Sequence, residues 1–252
     1  MRNIKLTLQY EGSGFSGLEL QPGKKTIRGE LEKALFKLFK TRIKIITASR
    51  TDSGVHALCQ VVNFKLKHSI PTTKIVMALN SVLPDGIRAI KAQEEKSFHA
   101  RYDTKNKEYE YLIYNGQILP PFSRNFVWHV KPKLNLTAMR KAAKVLVGNH
   151  DFSSFCAAGG DDKNFVRIIH SLAVGYSLLG IWEREKTKVI SIKVKGNGFL
   201  YKMVRNIVGT LVDVGLGKLT ANDIKLVLKA KDRNKAGRTA PAQGLCLVKI
   251  NY

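Results

Sequence analysis

Apolar positions recur with two periods along this chain, and the changes of period mark its elements. Ile4, Leu6 and Leu8 alternate with Lys5, Thr7 and Gln9, the pattern of a strand with one buried face. A glycine-rich turn follows, Gly12 to Gly17, and Thr26 then stands where it caps a helix. Ile27, Leu31, Ala34, Leu35, Leu38 and Phe39 form the apolar stripe of that helix. Ile43 to Ile46 reads as a short strand, and Leu58, Gln60, Val62, Phe64 and Leu66 share one face of a longer one. Thr72 to Leu83 reads as a helix ended by Pro84, and Ile87 to Ala92 as a strand. Lys105 to Tyr114 alternates again, with Tyr109, Tyr111 and Ile113 on one face. Leu136 to Val147 reads as a helix stopped at Gly148, and Ile168 to Leu179 with Val189 to Lys195 as an antiparallel pair. A helix from about Leu200 to Val214 buries Met203, Val204, Ile207, Val208, Leu211 and Val212. Thr220 and Asp223 form a capping-box pattern before a helix at Ile224 to Ala230, and Leu245, Leu247 and Lys249 share the face of a last strand.

Strands in series with helices between them predict an α+β plan built on an antiparallel sheet. A boundary near Thr104 divides the chain into 1–104 and 105–252, with no Pro/Ser linker between the halves. Gly12-Ser13-Gly14-Phe15 and Gly196-Asn197-Gly198-Phe199 each follow a strand and precede a helix, a weak sign of internal duplication because such turns are common.

Composition adds a partner class. The chain of 252 residues is 44% hydrophobic and 25% charged, which are globular proportions. Lys and Arg number 43 against 19 Asp and Glu, a formal net charge of +24. Such a surface attracts polyanions, and nucleic acid is the first candidate because phosphate contacts release condensed counterions. A Lys-rich proteome is the alternative source of the excess. Cys59, Cys156 and Cys246 stand far apart with no Cys-x-x-Cys, which argues against zinc and disulfides and suits a reducing cytoplasm. No stretch has the apolar length of a membrane helix.

Two motifs invite chemistry. Gly12-Ser13-Gly14-Phe15-Ser16-Gly17 matches Gly-x-Gly-x-x-Gly in form. The next helix begins only near Ile27, beyond Pro22-Gly23, so no helix dipole meets a pyrophosphate; close approach to a ligand backbone suits the turn better. The second motif is Ser49-Arg50-Thr51-Asp52-Ser53-Gly54-Val55-His56-Ala57. Asp-Ser-Gly makes a good turn by itself. An Arg two residues before the carboxylate and a His four residues after it make a richer cluster than a turn needs. An aspartic protease would require a second Asp-Ser/Thr-Gly, which the chain lacks; a homodimer could supply one, but a +24 surface gives no reason to expect it.

The second motif resembles the signature loop of the bacterial tRNA pseudouridine synthase A family. Tyr10 to Gly17, Phe98-His99-Ala100-Arg101, Tyr109-Glu110-Tyr111, Met203 to Gly209 and Gly244-Leu245 resemble further family segments, in family order and over nearly the whole chain. Three positions depart: Ser49 stands where the family usually has Gly, and Leu18-Glu19 where it usually has Trp-Gln. The resemblance implies two related halves around a central antiparallel sheet flanked by helices. In it 1–104 carries the catalytic loop and 105–252 completes the active-site cleft. It also implies a homodimer acting on uridine in the anticodon stem-loop of tRNA, with neither metal nor cofactor. Carried over by position, Asp52 matches the nucleophile, Arg205 the partner of its carboxylate, Tyr109 the ring that stacks on the target base, and Arg50 an arginine that helps displace the nucleotide.

The chemistry agrees with these residue types. Isomerisation breaks a glycosidic bond, turns the base and rejoins it through carbon, with no redox step. A carboxylate adds to base or sugar and holds the fragments, and a guanidinium keeps it ionised. The uridine must leave its stack, and an aromatic ring then receives it. Taken without the resemblance, Arg205 reads as a salt bridge or phosphate contact and Tyr109 as a sheet aromatic. His56 reads as structural or as an RNA contact. Lys24, Lys25, Arg28, Lys105, Lys107, Lys202, Arg233, Lys235 and Arg238 are candidate phosphate contacts. A non-catalytic RNA-binding module would share the composition and the sheet, but it has no need of the Asp52 cluster.

Overall fold

The computed structural model describes residues 1–160, 162–180 and 186–252. By contacts the chain divides into two units, Met1–Lys105 with Cys246–Tyr252, and Asn106–Leu245. The last strand, expected with 105–252, therefore joins the first unit.

In the first unit β1 (Arg2–Tyr10) lies between β3 (His56–Leu66) and β4 (Ile87–Glu94), antiparallel to both. Ile4, Leu6 and Leu8 are fully buried, as their alternation requires. One edge of β3 pairs with β1. The other is shared at opposite ends: β2 (Ile46–Thr47) pairs at Val62 and Asn63, and β10 (Leu245–Asn251) pairs at His56 and Ala57. The β10 pairing is parallel, a departure from the antiparallel expectation. A parallel neighbour needs a long connection, and the 106–244 segment that returns the chain to this sheet supplies it. Helix α1 (Ile27–Phe39) starts as expected, with the Thr26 hydroxyl accepting from Gly29 N at 3.1 Å. Helix α2 (Thr72–Asn80) stops short of the expected Leu83. The Asn80 carboxamide leaves the helix to bond both N and O of Ala89 on β4, each at 2.8 Å.

In the second unit β5 (Asn106–Tyr114), β9 (Thr187–Gly196), β8 (Val166–Leu179) and β7 (Gly148–Asp151) form an antiparallel series in that order. Short β6 (Trp128–His129) runs parallel to β5. Helix α3 (Leu136–Val145) packs on β8, on α4 (Met203–Gly215) and on α5 (Ala221–Ala230). The Thr220–Asp223 capping box is present at the start of α5. Every residue of α4 except Arg205 is buried, which makes it the central helix of this unit.

Candidate active site

The expected site residues fall two and two. Arg50 and Asp52 share a loop of the first unit, while Tyr109 and Arg205 lie on β5 and α4 of the second. Between the stretches of β3 held by β2 and by β10, the chain after Ala48 swings away from the sheet, and residues 49–55 form the loop. Arg50 is exposed and Asp52 half-buried. Asp52 also begins a turn, with Val55 N donating to Asp52 O at 3.1 Å and Gly54 at φ +80°. That conformation at the third position is the type II requirement, so Asp-Ser-Gly forms the turn its residue types favour.

The Gly12–Gly17 turn has a different use from the one its pattern suggested: it seats this loop. A Cβ on Gly12 would lie 2.1 Å from Val55 O, and one on Gly17 would lie 3.0 Å from Thr51 O. Leu18 N donates to Thr51 O at 3.0 Å, and the Ser53 hydroxyl donates to Phe15 O at 3.1 Å. Gly12 N donates to Nδ1 of the buried His56 at 3.0 Å. This bond ties the His56 ring to the first residue of the glycine turn. The backbone that this glycine turn approaches is the protein's own. Buried Tyr10 reaches the same loop, its hydroxyl 2.7 Å from Thr51 Oγ1, and burial pushes its phenol up to about 12.

In the second unit the segment after α5 is stitched along α4. Arg205 Nε donates to Ala240 O at 2.7 Å, and Ala240 N returns a bond to Arg205 O at 3.1 Å. Asn206 Oδ1 accepts from Arg233 Nη2 at 3.0 Å and from Thr239 Oγ1 at 2.6 Å. Arg238 pairs with Asp213 at 3.0 Å, and a Cβ on Gly209 would lie 1.7 Å from Arg238 O. Arg205 thus emerges from an otherwise buried helix with one guanidinium nitrogen already fixed. Tyr109 is 5% exposed, its ring edge-on to Phe199 at 5.3 Å and 90°. Neighbouring Tyr111 donates to Pro241 O at 2.7 Å; burial raises its phenol pKa, and the charge of Arg205 opposes that rise.

The sequence model of the family described as tRNA pseudouridine synthase matches residues 7–103 and 142–252, well over half of the chain. The chain belongs to that family. A tRNA pseudouridine synthase A of Thermoanaerobacter sp. (strain X514) is 45% identical over 253 residues, spanning 100% of both chains. One of Bacillus subtilis (strain 168) is 44% identical over 253 residues, spanning 99% of this chain and 98% of the relative. Membership makes the chain an isomerase of tRNA uridines.

Of the departures from the family pattern, Leu18 and Glu19 are absorbed internally. Leu18 is 1% exposed, a core residue. Glu19 takes Arg28 at 2.8 Å and Thr47 Oγ1 at 2.8 Å, so its charge is neutralised within the first unit. Arg28, with Glu32 as a second partner at 2.9 Å, is correspondingly committed and is no free phosphate contact. Burial works against the Arg28 charge, but the two carboxylates outweigh it and hold its pKa above the ordinary value. Arg233 and Arg238 are likewise tied to the α4 strap. Gln60, assigned by pattern to an apolar strand face, is the residue that sequence reasoning undervalued. A lone amide within a buried stripe was the available signal.

Proposed function

We propose that this chain converts uridine to pseudouridine in the anticodon stem-loop of tRNA, with Asp52 as the nucleophilic carboxylate. The observation that carries the proposal is the seating of the Asp52 loop. Thr51 O accepts from Leu18 N, and Val55 and Thr51 lie against Gly12 and Gly17 too closely for a side chain there, while Asp52 between them keeps partial exposure. A nucleophile held in this way has less orientational freedom to lose on reaching its target.

In the reaction the N1–C1′ bond breaks, the base turns within the pocket, a C5–C1′ bond forms, and the C5 proton leaves as N1 gains one. Asp52 supplies the electron pair that holds the detached fragment and takes it back when the new bond closes. Arg205 is the proposed cationic partner that keeps this carboxylate ionised. Tyr109 is the proposed stacking platform, its ring set edge-on by Phe199. Arg50, exposed on the same loop as Asp52, is the proposed arginine that helps displace the target nucleotide. The resemblance implies a homodimer, and three cysteines far apart in the sequence, with no Cys-x-x-Cys, suit a cytoplasmic setting.

The test is tritium release from unmodified tRNA carrying uridine labelled at C5, followed by mapping of the modified nucleotides. The proposal expects one tritium lost per pseudouridine formed, with all of them in the anticodon stem-loop. Absence of tritium release would remove the catalytic role. Modification confined to another arm would remove the site assignment. Sedimentation of the purified protein should give twice the monomer mass, and a single-chain mass would remove the homodimer.

A further inference from the structure

The loop that carries Asp52 is held from beneath by a side chain that no motif marks. Gln60 on β3 is 0% exposed, and its carboxamide makes four contacts. Its Oε1 accepts from Ser49 N at 3.3 Å and from Val61 N at 3.2 Å. Its Nε2 donates to Ser49 O at 2.7 Å and to the Tyr10 hydroxyl at 3.3 Å.

Ser49 is the first residue past the point where ordinary strand pairing stops. Ala48 N still donates to Val61 O at 2.9 Å. At Ser49 the amide stands in for a neighbouring strand, offering one acceptor and one donor to one residue's N–H and C=O. The pairing is thereby extended just as the chain turns toward Asp52. A buried amide is stable only with its hydrogen bonds made, and here they are made to the loop backbone.

The chain of donors continues. The Tyr10 oxygen accepts from Gln60, and the Tyr10 hydroxyl with its own proton shares a hydrogen bond with Thr51 Oγ1, 2.7 Å away, in which either oxygen can donate. Burial of Tyr10 keeps that proton in place, because desolvation disfavours the phenolate. Ser49 and Thr51 are both buried and both tethered, while Arg50 between them is exposed and Asp52 follows half-buried. Pinning alternate residues of an extended segment leaves the intervening ones on the open side.

We infer that Gln60 and Tyr10 are positioning residues for the catalytic carboxylate, a buried amide–phenol relay that sets where the Asp52 loop leaves the sheet. The inference rests on Asp52 being the nucleophile. Neither residue touches substrate, so their loss should lower the rate of the chemical step and leave tRNA affinity alone.

The test uses the full-length protein, single-turnover rates with enzyme in excess, and tRNA affinity by filter binding, at a temperature where circular dichroism shows each variant folded. Tyr10→Phe removes one oxygen and preserves packing; the rate should fall about 10- to 100-fold with Kd within about twofold, as a slackened catalytic geometry requires. Gln60→Leu should fall further. If it fails to fold, Tyr10→Phe still decides. Gln60→Glu supplies a signature that simple destabilisation would not. Burial keeps its carboxyl protonated at low pH, where it offers a donor and an acceptor as the amide does, and ionisation at higher pH abolishes the donor. Its rate relative to wild type should therefore fall as pH rises. Asp52→Asn serves as the control. If Asp52→Asn turns over, the nucleophile assignment fails. If Asp52→Asn is inactive while Tyr10→Phe keeps the full wild-type rate, or loses affinity instead of rate, the positioning role fails alone.

Discussion

A single methyl group at Gly12 tests whether the glycine turn seats the Asp52 loop. The Cβ of Gly12→Ala would stand 2.1 Å from Val55 O and 2.6 Å from Val55 C, where contacts under 3.0 Å are essentially unknown. Both neighbours are backbone, so turn and loop must part by about 1 Å. Overpacking of this kind costs about 1–3 kcal/mol. Separation also breaks the bond from Gly12 N to His56 Nδ1, and a buried donor left unpaired costs about 1–3 kcal/mol more. At roughly 2–4 °C per kcal/mol for a chain of this size, Tm should fall by roughly 5–20 °C. An active-site displacement of about 1 Å typically lowers rate by about 100-fold. Gly14→Ala, two residues on, is the matched control. Nothing lies within 4 Å of its Cβ and its φ is not positive, so it should stay within about 0.5 kcal/mol of wild type with full activity. Thermal unfolding followed by circular dichroism, with single-turnover tritium release below both transitions, reads the two effects separately. Wild-type Tm and rate in Gly12→Ala would refute the reasoning, as would equal losses in the two variants.

Other outcomes follow from the same geometry. Arg233→Ala removes a charged donor to Asn206 Oδ1 and Gly237 O; it should cost about 1.5–3 kcal/mol in urea unfolding, and Arg233→Lys should restore little of it because one ammonium cannot span both acceptors. The Asp223 carboxyl is held below its ordinary value by the Thr220 backbone N–H and then its hydroxyl; its contribution to α5 is complete above the unfolded value of about 3.9 and disappears as pH drops through the lowered one. In an NMR titration Thr220→Ala should move the Asp223 midpoint upward, and an unmoved midpoint would contradict the capping box. Affinity for tRNA should fall with salt, the slope of log K against log salt being about 0.7 to 0.9 per neutralised phosphate. A flat response would contradict the use assigned to the +24 charge.

Much of this was legible where local signals agreed with tertiary packing. Thr26, the alternation of β1 and β5, and the Thr220–Asp223 box each describe a feature that a few adjacent residues decide. Errors arose where a distant partner decided. Ile43 and Ile45 are buried, yet the expected strand there narrows to Ile46–Thr47, because only these two meet β3. Leu58 shares the periodicity of the buried face of β3 and is nevertheless 54% exposed, lying where neither β2 nor β10 covers the strand. The parallel entry of β10 depends on more than a hundred intervening residues, beyond the reach of any local pattern. At the site, motif resemblance singles out Asp52, but the glycine pattern gives no hint that Gly12 and Gly17 pack against the Asp52 loop, because that contact joins residues about forty positions apart.

Asp52→Asn keeps the side chain's size and removes its charge, which decides whether the Asp52 carboxylate carries out chemistry on a bound uridine. Tritium release and tRNA binding are measured on one preparation of this variant. Single turnover should give no detectable release, with tRNA affinity within about threefold of wild type, roughly 0.7 kcal/mol. Release at a rate near wild type would contradict the nucleophilic role.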